Sequence, residues 1–141
     1  MAAGAEPVAA TAHERLKRRP EFFRDVEEGI EWTLEFANGA RADGFTSYND
    51  GRNNFRAEAA RGWFEAGPAF SYRGLKAATS AGALSFEPPV NQQALQMDDF
   101  ATCVREGRES RVSGEMGLRD MKIIEAIYES ARTGKRVALK A

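Results

Sequence analysis

The sequence predicts an α+β fold, an open and mostly antiparallel β-sheet with two or more helices packed on one face. Three observations carry that expectation. Short strand-like segments bounded by Gly, Pro and Asn turns fill residues 7–86, amphipathic helical segments follow, and a short strand at Val137–Leu139 closes the chain.

The first strand is expected over Pro7–Leu16, with weak, alanine-rich alternation, after a flexible tail at 1–6. His13 lies in it without Cys, Asp or Glu at ligand spacing, so no metal site is expected. Lys17-Arg18-Arg19-Pro20 reads as a charged loop, since no glycine-rich backbone accompanies it. The next strand is clearer: Ile30, Trp32, Leu34 and Phe36 alternate with Glu31, Thr33 and Glu35, the period of a strand with one buried face. Asn38-Gly39 predicts a two-residue type I′ turn. That turn places Trp32 opposite Phe45 and Glu31 opposite Thr46. It leaves Ala42, Gly44 and Thr46 on the mixed face with Glu31, Thr33 and Glu35.

A second hairpin is expected from Asn54–Ala59 and Gly62–Ala66, bending at Ala60-Arg61. Gly67-Pro68 interrupts the pattern. Phe70, Tyr72 and Leu75 suggest a short strand, and Ala83–Phe86 another, before Pro88-Pro89 ends the β region. Asn91 is placed to cap a helix carrying Met97, Phe100, Ala101 and Val104 on one face and stopping at Gly107. Cys103 beside this stripe reads as a small packing residue. The longest helical pattern starts at Ser113, carries Ile123, Ile124, Ile127, Tyr128 and Ala131 at spacings of three and four, and stops at Gly134.

Composition bounds the function. The 141 residues are 43% hydrophobic and 29% charged with net charge −1, ordinary for one globular domain, here expected over 7–141. Neither a nucleic-acid nor a membrane partner is expected: basic residues are not interleaved with aromatics, and no segment has ~20 apolar residues. One cysteine, and an N-terminus unlike a secretory signal, suit a cytoplasmic protein. No G-x-G-x-x-G, P-loop, metal-ligand cluster or G-x-S-x-G elbow is present, so a self-contained catalytic site is not visible and no catalytic residue is assigned.

The segments EGIEWTLEFANGA with Thr46-Ser47-Tyr48, RGWFEAGPAFSYRGL, NQQALQMDDFATCVREGRES and SGEMGLRDMKIIEAIYESARTGKRV resemble the C-terminal domain of the glucose–fructose oxidoreductase-like (Gfo/Idh/MocA) family, from Glu6 onward. The resemblance implies a dihydrodipicolinate reductase-like domain with an open sheet, helices on one face and the other face used in subunit association. It also implies an NAD(P)-dependent sugar oxidoreductase whose N-terminal Rossmann domain holds the nicotinamide cofactor. In such proteins a Glu-Lys-Pro motif supplies a catalytic lysine, and a glycine-rich stretch with an aspartate contributes further active-site groups. This sequence has no counterpart positions for these, so no cofactor-binding residue is assigned. By the resemblance, Tyr72 in PAFSYRGL is placed near substrate, and Tyr48 and Arg73 line the same area.

The expected role is therefore a substrate-binding and oligomerisation domain that is not catalytic alone, because a sugar-lined groove oxidises nothing without a hydride acceptor. One alternative is half of a split oxidoreductase completed by a separate Rossmann-domain partner chain. The other is a stand-alone dimerising module. The expected partner in the first and last cases is a second copy, met through the sheet face.

Overall fold

The computed structural model of the chain describes residues 3–87 and 91–139. Its elements run β1 (Pro7–Glu14), β2 (Gly29–Phe36), β3 (Arg41–Ser47), β4 (Phe55–Ala59), β5 (Gly62–Gly67), β6 (Lys76–Thr79), β7 (Gly82–Leu84), α1 (Gln92–Glu106), α2 (Gly114–Thr133) and β8 (Val137–Ala138). The α+β, antiparallel architecture is the one the sequence predicts, with the strands shared between two four-stranded sheets. Met1–Gly51 with Val112–Ala141 form one compact unit, and Arg52–Arg111, inserted between them in sequence, form a second.

In the first unit the strands are ordered β3-β2-β1-β8, and α2 lies on one face. Its core joins Ala10 and Ala12 of β1 and Ile30 of β2 to Ala126 and Ile127 of α2, with Trp32, Leu34, Ile123, Ala131, Val137 and Leu139 packed around them. The alanines that blur the alternation of β1 have a packing reason. They stand beneath the helix, opposite Ala126, and larger side chains there would hold helix and sheet apart. Ile123 and Ile127 of the predicted stripe face this core, whereas Ile124 and Tyr128 sit at its exposed edge.

The β2–β3 hairpin differs from expectation by one residue. Trp32 pairs with Gly44 and Glu31 with Phe45. The loop has three residues: the Gly39 amide donates to the Phe36 carbonyl at 2.9 Å, and the Phe36 amide donates to the Ala40 carbonyl at 3.0 Å. Gly39 alone takes positive φ (85°), so Asn38 does not adopt the conformation that a type I′ turn requires of both central residues. The one-residue slip moves every β3 side chain to the other face. Ala42, Gly44 and Thr46 therefore share the α2-side face with Ile30, Trp32 and Leu34, and the polar face carries Arg41, Asp43, Phe45 and Ser47 instead. Gly44 is glycine for a steric reason, because a Cβ there would overlap the Trp32 indole.

A single hydroxyl joins the strand, the helix and the final turn. Ser130, fully buried in α2, accepts from the Ala12 amide at 2.8 Å and donates to the Lys135 carbonyl at 2.6 Å. β8 pairs Val137 with Ala10, so continuing that register puts Lys135 opposite Ala12. The Ser130 hydroxyl takes the place of the ladder bond that would follow. Gly134 (φ 67°) ends α2 with its amide on the Ser130 carbonyl, turning the chain into β8.

In the second unit the sheet is β4-β5-β6-β7; the β4–β5 hairpin falls where the sequence places it, whereas β6 and its hairpin with β7 are not among the strands read from the sequence. The strand expected over Phe70–Leu75 is absent. Asn53 captures this segment instead: its carbonyl accepts from the Ala69 amide, its Oδ1 from the Phe70 amide at 2.7 Å, and its Nδ2 donates to Ser71 Oγ at 2.9 Å. Pairing with β5 resumes only at Lys76. Helix α1 is capped as expected, Asn91 Oδ1 accepting from the Ala94 amide and Gly107 taking the left-handed conformation. Cys103 is buried, while Met97, Phe100 and Val104 are exposed. The proposed stop at Pro88-Pro89 lies outside the described residues. No helix among the described residues is long and apolar enough to cross a membrane.

Two stability predictions follow from these contacts. Ser130→Ala strands the buried Ala12 amide and the part-buried Lys135 carbonyl and is expected to cost about 1–3 kcal/mol, seen as a lower urea midpoint with faster exchange of the Ala12 amide. Gly44→Val is expected to cost about 1–3 kcal/mol by overpacking against Trp32. An unchanged midpoint in Gly44→Val would contradict the register described above.

Candidate functional site

Tyr72 and Arg73 lie together in the bend between β5 and β6, both exposed. The three Asn53 contacts hold the residues just before them, so this bend is positioned although it belongs to no strand. Tyr48, the third residue named from sequence, belongs to the other unit, just after β3. Its amide donates to the Glu28 carbonyl and its ring meets Phe23 at 5.2 Å between centroids. Tyr72 and Arg73 are thus neighbours, and Tyr48 is placed by a different set of contacts.

The sheet face of the first unit away from α2 is polar and internally paired. His13 Nε2 stands 3.1 Å from Glu31 Oε2, and Arg15 Nε 3.5 Å from Glu31 Oε1. The Arg15 guanidinium also lies over the Phe45 ring at 5.3 Å, and Thr33 donates to Asp43. Arg136 forks onto Glu35 Oε2 at 3.0 and 2.8 Å, and that bond holds the Glu35 carboxyl below the usual glutamate range. Both signs of charge are present in adjacent rows.

A groove of about 560 Å³ runs between the β1–β2 connection and the C-terminal half of α2. Ile30 and Ala131 supply apolar lining, and Arg24, Asp25, Glu125, Glu129 and Arg132 stand exposed around it. Across it, the Tyr128 hydroxyl donates to Glu27 Oε1 at 2.7 Å. The neighbouring Glu28 does the opposite job. It is buried, and its Oε2 accepts from the Arg18 and Arg19 amides at 2.6 and 2.9 Å, tying the connection to the start of β2. Read from sequence, Glu27-Glu28 is a water-facing pair, which buried Glu28 overturns, and Asn53 is not singled out. Adjacent glutamates ordinarily read as solvated, and a loop asparagine reads as a turn residue.

The described residues do not fit a dinucleotide cofactor. A Rossmann site needs a parallel strand leading through a glycine-rich turn into a helix N-terminus. Every strand pairing described here is antiparallel, and both helix N-termini are closed by their own caps, Asn91 and Ser113.

Comparison with known proteins places this antiparallel α+β fold. Residues 83–139 match the family model described as "Oxidoreductase family, C-terminal alpha/beta domain". The structure of aldose-aldose oxidoreductase from Caulobacter crescentus, complexed with glycerol, superposes with a TM-score of 0.88 at 39% identity, covering 96% of this chain and 42% of that one. The chain belongs to the Gfo/Idh/MocA oxidoreductases, as their C-terminal domain. D-xylose 1-dehydrogenase (NADP(+)) 2 of Haloferax volcanii is 31% identical over 121 residues, 81% of this chain and 37% of the relative. An oxidoreductase from Agrobacterium radiobacter, solved with NAD+, L-tartaric acid and magnesium, shares the fold at a TM-score of 0.71 and 17% identity, over 95% of this chain and 44% of that one. This Gfo/Idh/MocA domain therefore spans about two-fifths of the relatives it matches, and the complete family proteins are NAD(P)-dependent.

The bond to Glu27, followed by partial burial and the charge of Glu27 and of nearby Tyr48, raises the Tyr128 hydroxyl above the ordinary tyrosine range. The folded state holds this proton longer than the unfolded chain does. The resulting stability is complete below the ordinary value of about 10 and is lost as pH rises through the folded pKa. Ultraviolet titration, with Tyr128→Phe as the reference, is expected to show the Tyr128 midpoint falling toward the ordinary value in Glu27→Ala.

Proposed function

We propose that this chain is the substrate-binding and subunit-contacting domain of an NAD(P)-dependent sugar oxidoreductase of the glucose–fructose oxidoreductase type, and that it is not catalytic alone. The observation that carries the reading is the likeness to aldose-aldose oxidoreductase, 39% identical over nearly the whole of this chain. The name of the Haloferax volcanii relative, a D-xylose dehydrogenase, points to the same substrate class. In this reading the nicotinamide cofactor is held by a Rossmann domain, which supplies the hydride acceptor. The present domain supplies binding and orientation.

Tyr72 and Arg73 are the residues proposed to meet the sugar. A phenol offers both a hydroxyl and a flat apolar face to a pyranose, and a guanidinium donates to its hydroxyls. The polar sheet face is the proposed contact with a second copy. Its rows of Glu31, Glu35 and Asp43 beside Arg15, Arg41 and Arg136 can pair with the same rows of another molecule related by a two-fold axis.

In the oxidoreductase that contains this domain, Tyr72→Ala is expected to raise the aldose KM about tenfold and leave the nicotinamide KM unchanged. The purified chain alone is expected to give no saturable change in NADH or NADPH fluorescence up to millimolar cofactor. Saturable binding, or sugar oxidation by the chain alone, would overturn the proposal.

A further inference from the structure

We infer that the groove between the β1–β2 connection and α2 is a second carbohydrate site, one that takes an aldose or similar polyol and is separate from the Tyr72–Arg73 bend. Its volume, about 560 Å³, lies within the range of small-ligand sites. Five of its charged side chains, Arg24, Asp25, Glu125, Glu129 and Arg132, form no ion pair or side-chain hydrogen bond among the described residues.

The mixture of signs identifies the class of ligand. Of the other charged lining residues, Glu14 and Lys17 pair with each other at 3.0 Å and Glu27 accepts from Tyr128. An anion entering the groove would be drawn to Arg24 and Arg132 and repelled by Asp25, Glu125 and Glu129, and a cation would meet the reverse. A neutral polyol avoids that conflict, because each hydroxyl both donates to a carboxylate and accepts from a guanidinium. Such charge-assisted bonds are the stronger kind. The Ile30 and Ala131 lining and the half-exposed Tyr128 ring suit the C–H faces of a sugar. Tyr128 is already oriented by its bond to Glu27, so the ring is held in place before any ligand arrives. Glu28 fixes the other wall by gripping the amides of Arg18 and Arg19.

The test is saturation-transfer NMR on the full chain with D-xylose and D-glucose as probes, and with free arginine and inorganic phosphate as charged comparators. The aldoses are expected to bind with millimolar Kd, weakened about tenfold in Glu125→Ala with Glu129→Ala. Both glutamates are exposed on a helix, and far-ultraviolet circular dichroism verifies that the double variant is folded. No aldose binding, or tighter binding of arginine or phosphate, overturns the inference. Aldose binding that is lost in Tyr72→Ala and retained in the double variant also overturns it, while leaving the substrate role of the Tyr72 bend intact.

Discussion

The buried hydroxyl of Ser130 is the point on which the first unit depends. It is one side chain bonded to the amide of one strand and to the carbonyl that leads into another, and it projects from the helix packed over both. The helix cannot slide along the sheet without breaking both bonds, and the buried one, to the Ala12 amide, is costly to leave unmade. The depth of α2 over β1, the alanines that permit it, and the two-residue length of β8 are all consistent with that one pairing. Ala9 and Ala10 are completely buried, and Ala12 and Ala126 nearly so, which a larger residue at any of the four would prevent.

The two candidate regions of the first unit inherit their geometry from this arrangement. With α2 fixed, Tyr128 is carried to the edge of the helix, where it meets Glu27 from the β1–β2 connection. The same connection is anchored by Glu28, whose side chain turns inward while Glu27 turns toward the groove. On the far side of the sheet, the polar rows face away from the helix because the pleat leaves them nowhere else to point. In the second unit, Asn53 plays the comparable part, substituting side-chain bonds for a ladder and presenting Tyr72 and Arg73 on a held bend.

In the proposed reading, this domain divides labour with the part of an oxidoreductase that holds the nucleotide. Antiparallel sheets join neighbouring strands by short turns and leave one face bare, which suits contact with substrate or with another molecule. Dinucleotides instead favour the crevice at the ends of parallel strands. The two tasks call for different sheets, and the relatives are more than twice the length of this chain.

Much of the fold was legible in the sequence because its signals are local. Caps at Asn91 and Ser113, stops at Gly107 and Gly134, and the alternation from Ile30 to Phe36 each depend on residues within a turn or two of one another. The likeness to a family was also legible, as a string of segments. The hairpin register was not. Asn38-Gly39 is compatible with two turns that differ by one residue, and the fit of Trp32 over Gly44 accompanies the turn adopted. The strand expected at Phe70–Leu75 failed for a related reason: Asn53, seventeen residues from Phe70, captures backbone amides that a strand would have needed. The sequence by itself determined the class of fold, the helix limits and the residues Tyr48, Tyr72 and Arg73 as points of interest. Tertiary structure alone decided which faces those strands show, through the fit of Trp32 over Gly44, and that Glu27 meets Tyr128 and Ser130 locks helix to sheet, because these last two depend on groups about a hundred residues apart along the chain.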